Sequence, residues 1–386
     1  MDIHEEFTQW TIRRGLKIHD IKLHRFPGRG IGIAAKKRIK ADSVLLYVPH
    51  SALRTQYTVS GPVVEATKEK RISVHGLLAT DQALENSLAV FQDDYKPWHS
   101  ILPSYSEFQE SISICWPVAL QKLLPPMAKI ILGKQQKKIQ TDWSIVSNAF
   151  PCLKFEKFLY SWLLINTRTF YFVPPSSCGV YRPFPKRDDC MALNPFSDCF
   201  NHNPCPSASV KVTESAFTIT STRDIDLGEE VTISYGNHSN DFLLAEYGFV
   251  VDENPWDEVL LDDYILPLLD TAQKTELESV GFLGYYLLDR NNVCHRTEVV
   301  LRVLCLPLQR WRRFVHGLDD GDDDQPQVDR TLLNILTKLK RDVQQTLRDI
   351  SSFSDKFSIQ KKILDTRWRQ IDKLSGKALN KCQAQV

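Results

Sequence analysis

Asp198-Cys199-Phe200-Asn201-His202 and, further along, Gly228-Glu229-Glu230-Val231-Thr232-Ile233-Ser234-Tyr235-Gly236 are the stretches on which the reading of this sequence turns. The first sets an amide and an imidazole side by side ahead of a stiff Asn203-Pro204-Cys205-Pro206. The second leaves a turn at Asp226-Leu227-Gly228-Glu229 and enters a β-branched run, so a strand over Val231–Tyr235 is expected. Taken singly, neither declares a chemistry. His202 has no metal-ligand partner at helical spacing, and a lone histidine is more often a bonded core residue. A tyrosine at a strand end is usually packed, with its hydroxyl satisfied. Upstream lies a third stretch, Pro27-Gly28-Arg29-Gly30-Ile31-Gly32-Ile33-Ala34. Its third glycine comes one position too early for a dinucleotide fingerprint. What remains is a bend whose backbone can approach a ligand closely.

Around these stretches two textures alternate. Residues 1–20 carry Phe7, Trp10, Ile12 and Leu16 among charges and predict a short amphipathic helix. Residues 21–52 read as small strands around the glycine bend, with Val44-Leu45-Leu46-Tyr47-Val48 stopped by Pro49. Residues 53–165 read as a helical insertion, with helical periodicity from Trp116 to Leu132 and from Phe155 to Ile165. Residues 166–250 return to strand texture: Thr169–Val173, then a hairpin of Ser209–Thr213 and Ala216–Thr220 about Glu214-Ser215. Residues 251–386 are helical, with apolar stripes at Leu332, Leu336, Leu339, Val343, Leu347 and Ile350 and at Ile363, Leu364, Trp368, Ile371 and Leu374. Ahead of them, Asp319-Asp320-Gly321-Asp322-Asp323-Asp324 predicts a mobile acidic loop.

The chain has 386 residues, with 48 Lys+Arg against 47 Asp+Glu. That balance excludes a protein that coats nucleic acid or an acidic membrane through bulk charge. Residues 331–386 hold 12 Lys/Arg and 5 Asp, a local charge of +7. Their interleaving with apolar helix positions fits a solvated face better than a nucleic-acid groove. No apolar run reaches the ~18 residues of a membrane span. The acidic start Met1-Asp2-Ile3-His4-Glu5-Glu6 lacks the pattern of a secretory signal. A soluble cytoplasmic protein is therefore expected, with the nucleus as the alternative. The nine cysteines read as reduced thiols. Cys178, Cys190, Cys199 and Cys205 contain no C-x-x-C pair, so no metal is expected.

In combination and in this order, the three stretches resemble a SET-domain protein-lysine methyltransferase. The bend at Arg29-Gly30-Ile31-Gly32, the Asn-His pair inside D-x-x-N-H and G-E-E-V-x-I-S-Y-G are that family's recurring segments. The insertion, Thr167-Arg168 where Ser-Arg is usual, Ser239-Asn240-Asp241 leading to Tyr247-Gly248-Phe249, and the helical C-terminal region are similar to the Rubisco large-subunit methyltransferase subclass. The resemblance implies an α+β fold: a SET β-fold in which the Asn-His segment threads past the Tyr235 segment, a helical insertion, and a helical C-terminal substrate-binding-like domain. It implies methyl transfer from S-adenosylmethionine to a deprotonated lysine amine of a non-histone protein, without a metal. Tyr235 would be the catalytic tyrosine and Tyr247 a wall of the lysine channel. Arg29, Gly30, Gly32, Arg168, Asn201, His202, Tyr235 and Phe249 would hold the cofactor, with Arg168 toward its carboxylate and Phe249 toward its adenine. Phe217 is available as a further channel wall. The expected partner is a protein substrate docking on the channel and the helical C-terminal domain of a monomer, with neither membrane nor nucleic acid involved. A histidine acceptor and a catalytically silent peptide-binding module are the alternatives.

Overall fold

Across the glycine bend the chain doubles back on itself. Strands β1 (Lys17–Ile18) and β2 (Ile21–Phe26) are followed by β3 (Gly30–Ala35), which pairs antiparallel with β2. Gly28 and Gly30 take φ of +73° and +74°, a left-handed conformation that side chains disfavour, so the tight reversal depends on them. The computed structural model describes residues 2–85, 95–173 and 189–385. They divide into two units, Met1–Phe108 with Lys134–Asn237, and Gln109–Gly133 with His238–Val386.

In the first unit the N-terminal helix spans Ile3–Arg13 and buries Phe7 and Trp10, whereas Ile12 faces outward and Leu16 lies beyond the helix end. Strand β4 (Val44–Pro49) does not pair across the glycine bend. It lies between β1 and the later hairpin, giving a sheet ordered β1-β4-β8-β7. That hairpin is β7 (Ala208–Val212) with β8 (Ala216–Ser221), turning through Glu214-Ser215. Phe217, on β8, is buried against Phe170 of the sheet pair formed by β5 (Thr169–Tyr171) and β6 (Met191–Leu193). Strand β9 is confined to Glu230–Val231 and pairs with β3, Ile33 facing Val231 and Ala34 facing Glu230. The longer strand expected to run to Tyr235 is absent because the chain leaves β3 and meets a new neighbour. His202 and Ile233 form an isolated parallel bridge, with Ile233 donating its N–H to the Asn201 carbonyl (3.1 Å) and Asn203 donating to Ile233 (2.9 Å). Two distant segments of sequence thus lie side by side.

The periodic stretch Trp116–Leu132 is not one helix. A short helix at Val118–Gln121 ends before Pro125-Pro126, and the long helix Pro126–Ala149 starts there, since proline lacks the N–H that a helix interior needs but suits a first turn. The helix Phe155–Arg168 buries Phe158, Trp162, Leu163, Leu164 and Ile165 and ends on Arg168.

The second unit is mainly helical, with a small sheet of β10 (Glu258–Leu260) and β11 (Leu287–Asp289). Two long helices, Gln325–Ser352 and Ser358–Gln385, pack their stripes together, with Leu336, Val343, Leu364 and Ile371 almost fully buried. The acidic loop before them is anchored rather than loose. Asp322–Asp324 form a 3-10 turn, Arg310 pairs with the buried Asp324 at 2.8 Å, and Gly321 lies against Arg302 and Phe314. The composition rule for loops failed here because Asp323 and Asp324 share the Arg310 guanidinium while Asp319 and Asp320 accept backbone N–H groups within the turn. Among the described residues no helix is long and apolar enough to cross a membrane.

Candidate active site

The Asn-His segment follows a short 3-10 turn, Ser197–Cys199. The residue leading into that turn, Phe196, has φ +75°, unusual for a bulky side chain, and is fully buried with its ring stacked on Phe7 of the N-terminal helix (6.1 Å between centroids). Packing holds the strained residue in place and aims the following backbone.

From there the chain presents four groups in succession. Asp198 is buried, accepting the indole N–H of Trp98 at 3.1 Å and an Arg168 N–H at 3.4 Å, while Arg168 also donates to the Asp198 carbonyl at 2.8 Å. Burial pushes the Asp198 carboxyl up from the usual carboxylate range, and the Arg168 guanidinium works against that shift. Burial likewise pushes the neighbouring Cys199 thiol well up, leaving it inert as a nucleophile. Asn201 donates its side-chain N–H to Glu230 Oε1 at 2.8 Å. His202 accepts the Tyr235 backbone N–H at Nδ1 (3.0 Å), which puts the proton of the neutral ring on Nε2. The Tyr235 hydroxyl donates to the Phe200 carbonyl at 2.8 Å.

Arg29 reaches the same place from the glycine bend, donating to the His202 carbonyl at 2.9 Å and pairing with Glu230 at 3.1 Å. Gly32 lies against this cluster: a Cβ there would stand 2.6 Å from Asn201 Nδ2 and 2.9 Å from Glu230 Oε1. Arg29, Gly30, Gly32, Arg168, Asn201, His202 and Tyr235 therefore all lie in the first unit, and Arg29, Gly32, Asn201, His202 and Tyr235 are linked by direct contact. Arg168 joins them through Asp198. Tyr247 and Phe249 belong to the second unit, at the end of the helix Asn240–Tyr247, with ring centroids 6.2 Å apart. Gly248 between them has φ +79° and closes that helix. Burial, helped by Glu246, pushes the Tyr247 hydroxyl up to about 12.

Sequence reading passed over Asp198, Glu230 and Trp98. The first two stood inside the quoted motifs, where their acceptor-only carboxylates beside potential donors were the available signal. Trp98 had none, being far from Asp198 along the chain. Thr167 donates its hydroxyl back to the Leu163 carbonyl at 2.8 Å, a bond internal to its helix. Cys178 lies outside the described residues. Cys190 and Cys199 are buried and Cys205 is exposed, and no group of His, Cys, Asp and Glu among the described residues is arranged to hold a metal.

One feature of the first unit fits an amino-acid-bearing cofactor. The buried Nε of Arg168 has no hydrogen-bond partner among the described residues, which suits a guanidinium that binds an anionic group. The missing Cβ of Gly32 serves the protein's own packing instead, letting the Asn201 amide and Glu230 close against the glycine bend.

Comparison with known proteins bears on the same segments. The chain is 25% identical to ribosomal lysine N-methyltransferase set11 of Schizosaccharomyces pombe, over 91% of each chain. It is 27% identical to SET domain-containing protein 4 of Mus musculus, over 91% of this chain and 84% of the relative. A structure of Rubisco LSMT bound to AdoMet is similar in fold, with a TM-score of 0.63, 17% identity and coverage of 99% of this chain and 93% of that one. Residues 257–381 match the ribosomal lysine N-methyltransferase 2 C-terminal domain. The glycine bend, the Asn-His pair and Tyr235 all fall inside residues 30–236 or at their edge, and because that whole span matches the SET domain model, the chain belongs to the SET-domain family.

Proposed function

We infer that the protein is an S-adenosylmethionine-dependent protein-lysine N-methyltransferase acting on a non-histone protein. The observation that carries this reading is the convergence of Arg29, Asn201, His202 and Tyr235, from three separate segments, into one hydrogen-bonded cluster. Bound S-adenosylmethionine supplies a methyl group already activated by its sulfonium, so the chain's own task is binding, orientation and control of the amine. A lysine amine with pKa near 10.4 costs roughly 4–5 kcal/mol to deprotonate at pH 7. An apolar, water-poor channel lowers that cost by disfavouring the ammonium.

Each residue has a role in this reading. Arg168 offers to the cofactor carboxylate its Nε, which has no hydrogen-bond partner among the described residues. Asn201, with the backbone around His202 and the bend at Arg29-Gly30-Ile31-Gly32, holds the remainder of its amino-acid end. The Tyr235 hydroxyl, its hydrogen engaged in a bond to the Phe200 carbonyl, keeps oxygen lone pairs with which to orient the incoming amine. For Tyr247 as a channel wall and Phe249 beside the adenine, the support is the sequence motif and the burial of Tyr247. The helical C-terminal region, similar to the ribosomal lysine N-methyltransferase 2 domain, serves to hold the protein substrate.

Incubation of wild type and Tyr235→Phe with labelled S-adenosylmethionine and a cell extract tests this. A labelled protein band with wild type alone, carrying methyl-lysine by mass spectrometry, supports the reading. Methyl-histidine would move the acceptor. A protein that binds cofactor yet labels nothing in any extract would instead be a peptide-binding scaffold.

A further inference from the structure

Glu230 stands at the centre of the cofactor-site cluster although no step of methyl transfer requires a carboxylate there. Its two oxygens are divided between two donors from different segments: Oε1 accepts from Asn201 Nδ2 at 2.8 Å, and Oε2 pairs with Arg29 Nε at 3.1 Å. Arg29 in turn donates from its other arm to the His202 carbonyl at 2.9 Å. Since Asn201 and His202 are adjacent in the chain, these contacts close a ring: Glu230, Asn201, His202, Arg29 and back to Glu230. Its neighbour Glu229 does something different, pairing with Arg223 and accepting the Asp226 N–H to close a surface turn. The β3–β9 pairing sets which of the two glutamates faces the ring, with Ala34 opposite Glu230.

We propose that Glu230 is a positioning residue that fixes the orientation of the Asn201 amide and the Arg29 guanidinium and so preorganises the cofactor site. This rests on the methyltransferase reading given above. A carboxylate can only accept hydrogen bonds. It therefore compels Asn201 to turn its NH2 group inward and leaves the amide oxygen as the group offered to a ligand. A neutral or missing side chain at position 230 would let the amide rotate, and half of its orientations would then present donors where an acceptor is needed. The missing Cβ of Gly32 fits this arrangement, because any side chain there would collide with both Asn201 Nδ2 and Glu230 Oε1. The Arg29 side chain is exposed, with a relative accessibility of 44%, so its fixed direction comes from Glu230 and the His202 carbonyl more than from burial.

Calorimetry with S-adenosylhomocysteine tests the proposal on wild type, Glu230→Ala, Glu230→Gln, Asn201→Ala and the Glu230→Ala/Asn201→Ala double variant, each checked for folding by circular dichroism. Glu230→Ala is expected to weaken binding about tenfold or more, as for loss of a charge-assisted pair. Glu230→Gln, which retains one acceptor oxygen for Asn201, is expected to lose roughly threefold. In the double variant the Glu230 substitution should add less than about twofold to the Asn201 loss, because both remove the same orientation. In turnover, the KM for the cofactor should rise while the KM for the protein substrate stays put. Wild-type protein that fails to bind would bring down the methyltransferase reading, and this proposal with it. Wild type that binds, with folded Glu230→Ala binding as tightly or the two losses adding in full, would overturn the proposal alone and leave Glu230 a structural residue. Should Glu230→Ala not fold, a folded Glu230→Gln of wild-type affinity overturns it equally.

Discussion

Tyr235 bonds to the Asn-His segment at two points: its hydroxyl donates to the Phe200 carbonyl at 2.8 Å, and its backbone N–H donates to His202 Nδ1 at 3.0 Å. The tyrosine therefore brackets Asn201, with the ring's position set by one bond and the backbone's by the other. Tyr235→Phe removes only the first. The expected outcome is a loss of roughly 10²-fold in kcat, the scale of one lost preorganised polar contact, with cofactor affinity changed by less than about twofold. Single-turnover kinetics alongside calorimetry separates the two effects, and equal loss in both would show that the hydroxyl holds the cofactor instead.

Gly32→Ala places a methyl group 2.6 Å from Asn201 Nδ2 and 2.9 Å from Glu230 Oε1, closer than real side-chain carbons approach. Its backbone pairing with His24 on β2 leaves little room to retreat. The variant should fold, losing about 1–3 kcal/mol of stability, and should bind cofactor at least several-fold more weakly. Thermal unfolding and calorimetry on the same preparation check both; unchanged affinity would mean that the Asn201 amide plays no part in binding.

Arg367 is completely buried in the second unit, donating to Asp241 at 2.6 Å, to Asp257 at 2.8 Å and to the Glu258 carbonyl at 3.1 Å. Removing it strands two buried carboxylates. Arg367→Met should cost about 3–5 kcal/mol, measured by urea unfolding. Asp241 belongs to the helix that ends on Tyr247, proposed above as a channel wall, and on that proposal turnover should fall as well. A loss below about 1 kcal/mol, the value of a surface pair, would contradict the buried geometry.

His75 is stacked on Trp162 with ring centroids 4.0 Å apart, and burial, reinforced by Lys138, pushes its pKa down to about 3. The unfolded chain, with a histidine pKa near 6.5, binds more protons than the folded one between those values. Stability contributed by neutral His75 is thus fully present above about pH 6.5 and is lost as pH falls toward about 3, at up to ~1.4 kcal/mol per pH unit. His75→Gln should be less stable than wild type at neutral pH yet decline more gently on acidification. Urea midpoints at about pH 7.5, 6 and 5 measure the slopes, and identical slopes would remove His75 from the account.

The local chemistry of the chain was readable without coordinates. Gly28 and Gly30 announced a reversal that needs left-handed backbone, and the alternation either side of Glu214-Ser215 announced a hairpin. The apolar stripes from Leu332 and from Ile363 announced two packed helices. Errors arose where a local pattern was overruled by a neighbour. Pro125-Pro126 split a periodic helix, Arg310 secured an acidic loop, and the strand after Glu230 gave way to pairing with a different segment.

By itself, then, the sequence determined which residues are able to turn, pair or cap, and the order in which the three motif segments arrive, because those properties depend on each residue and its immediate neighbours. Only the tertiary structure decided that Glu230 rather than Glu229 faces Asn201, that Trp98 caps the buried Asp198, and that Phe7 pins Phe196 in a strained conformation. Those pairings follow from the β3–β9 register, the parallel bridge of His202 to Ile233 and the docking of an N-terminal helix. Each is set by the joint burial and hydrogen-bond satisfaction of segments far apart in the chain, which no local propensity encodes.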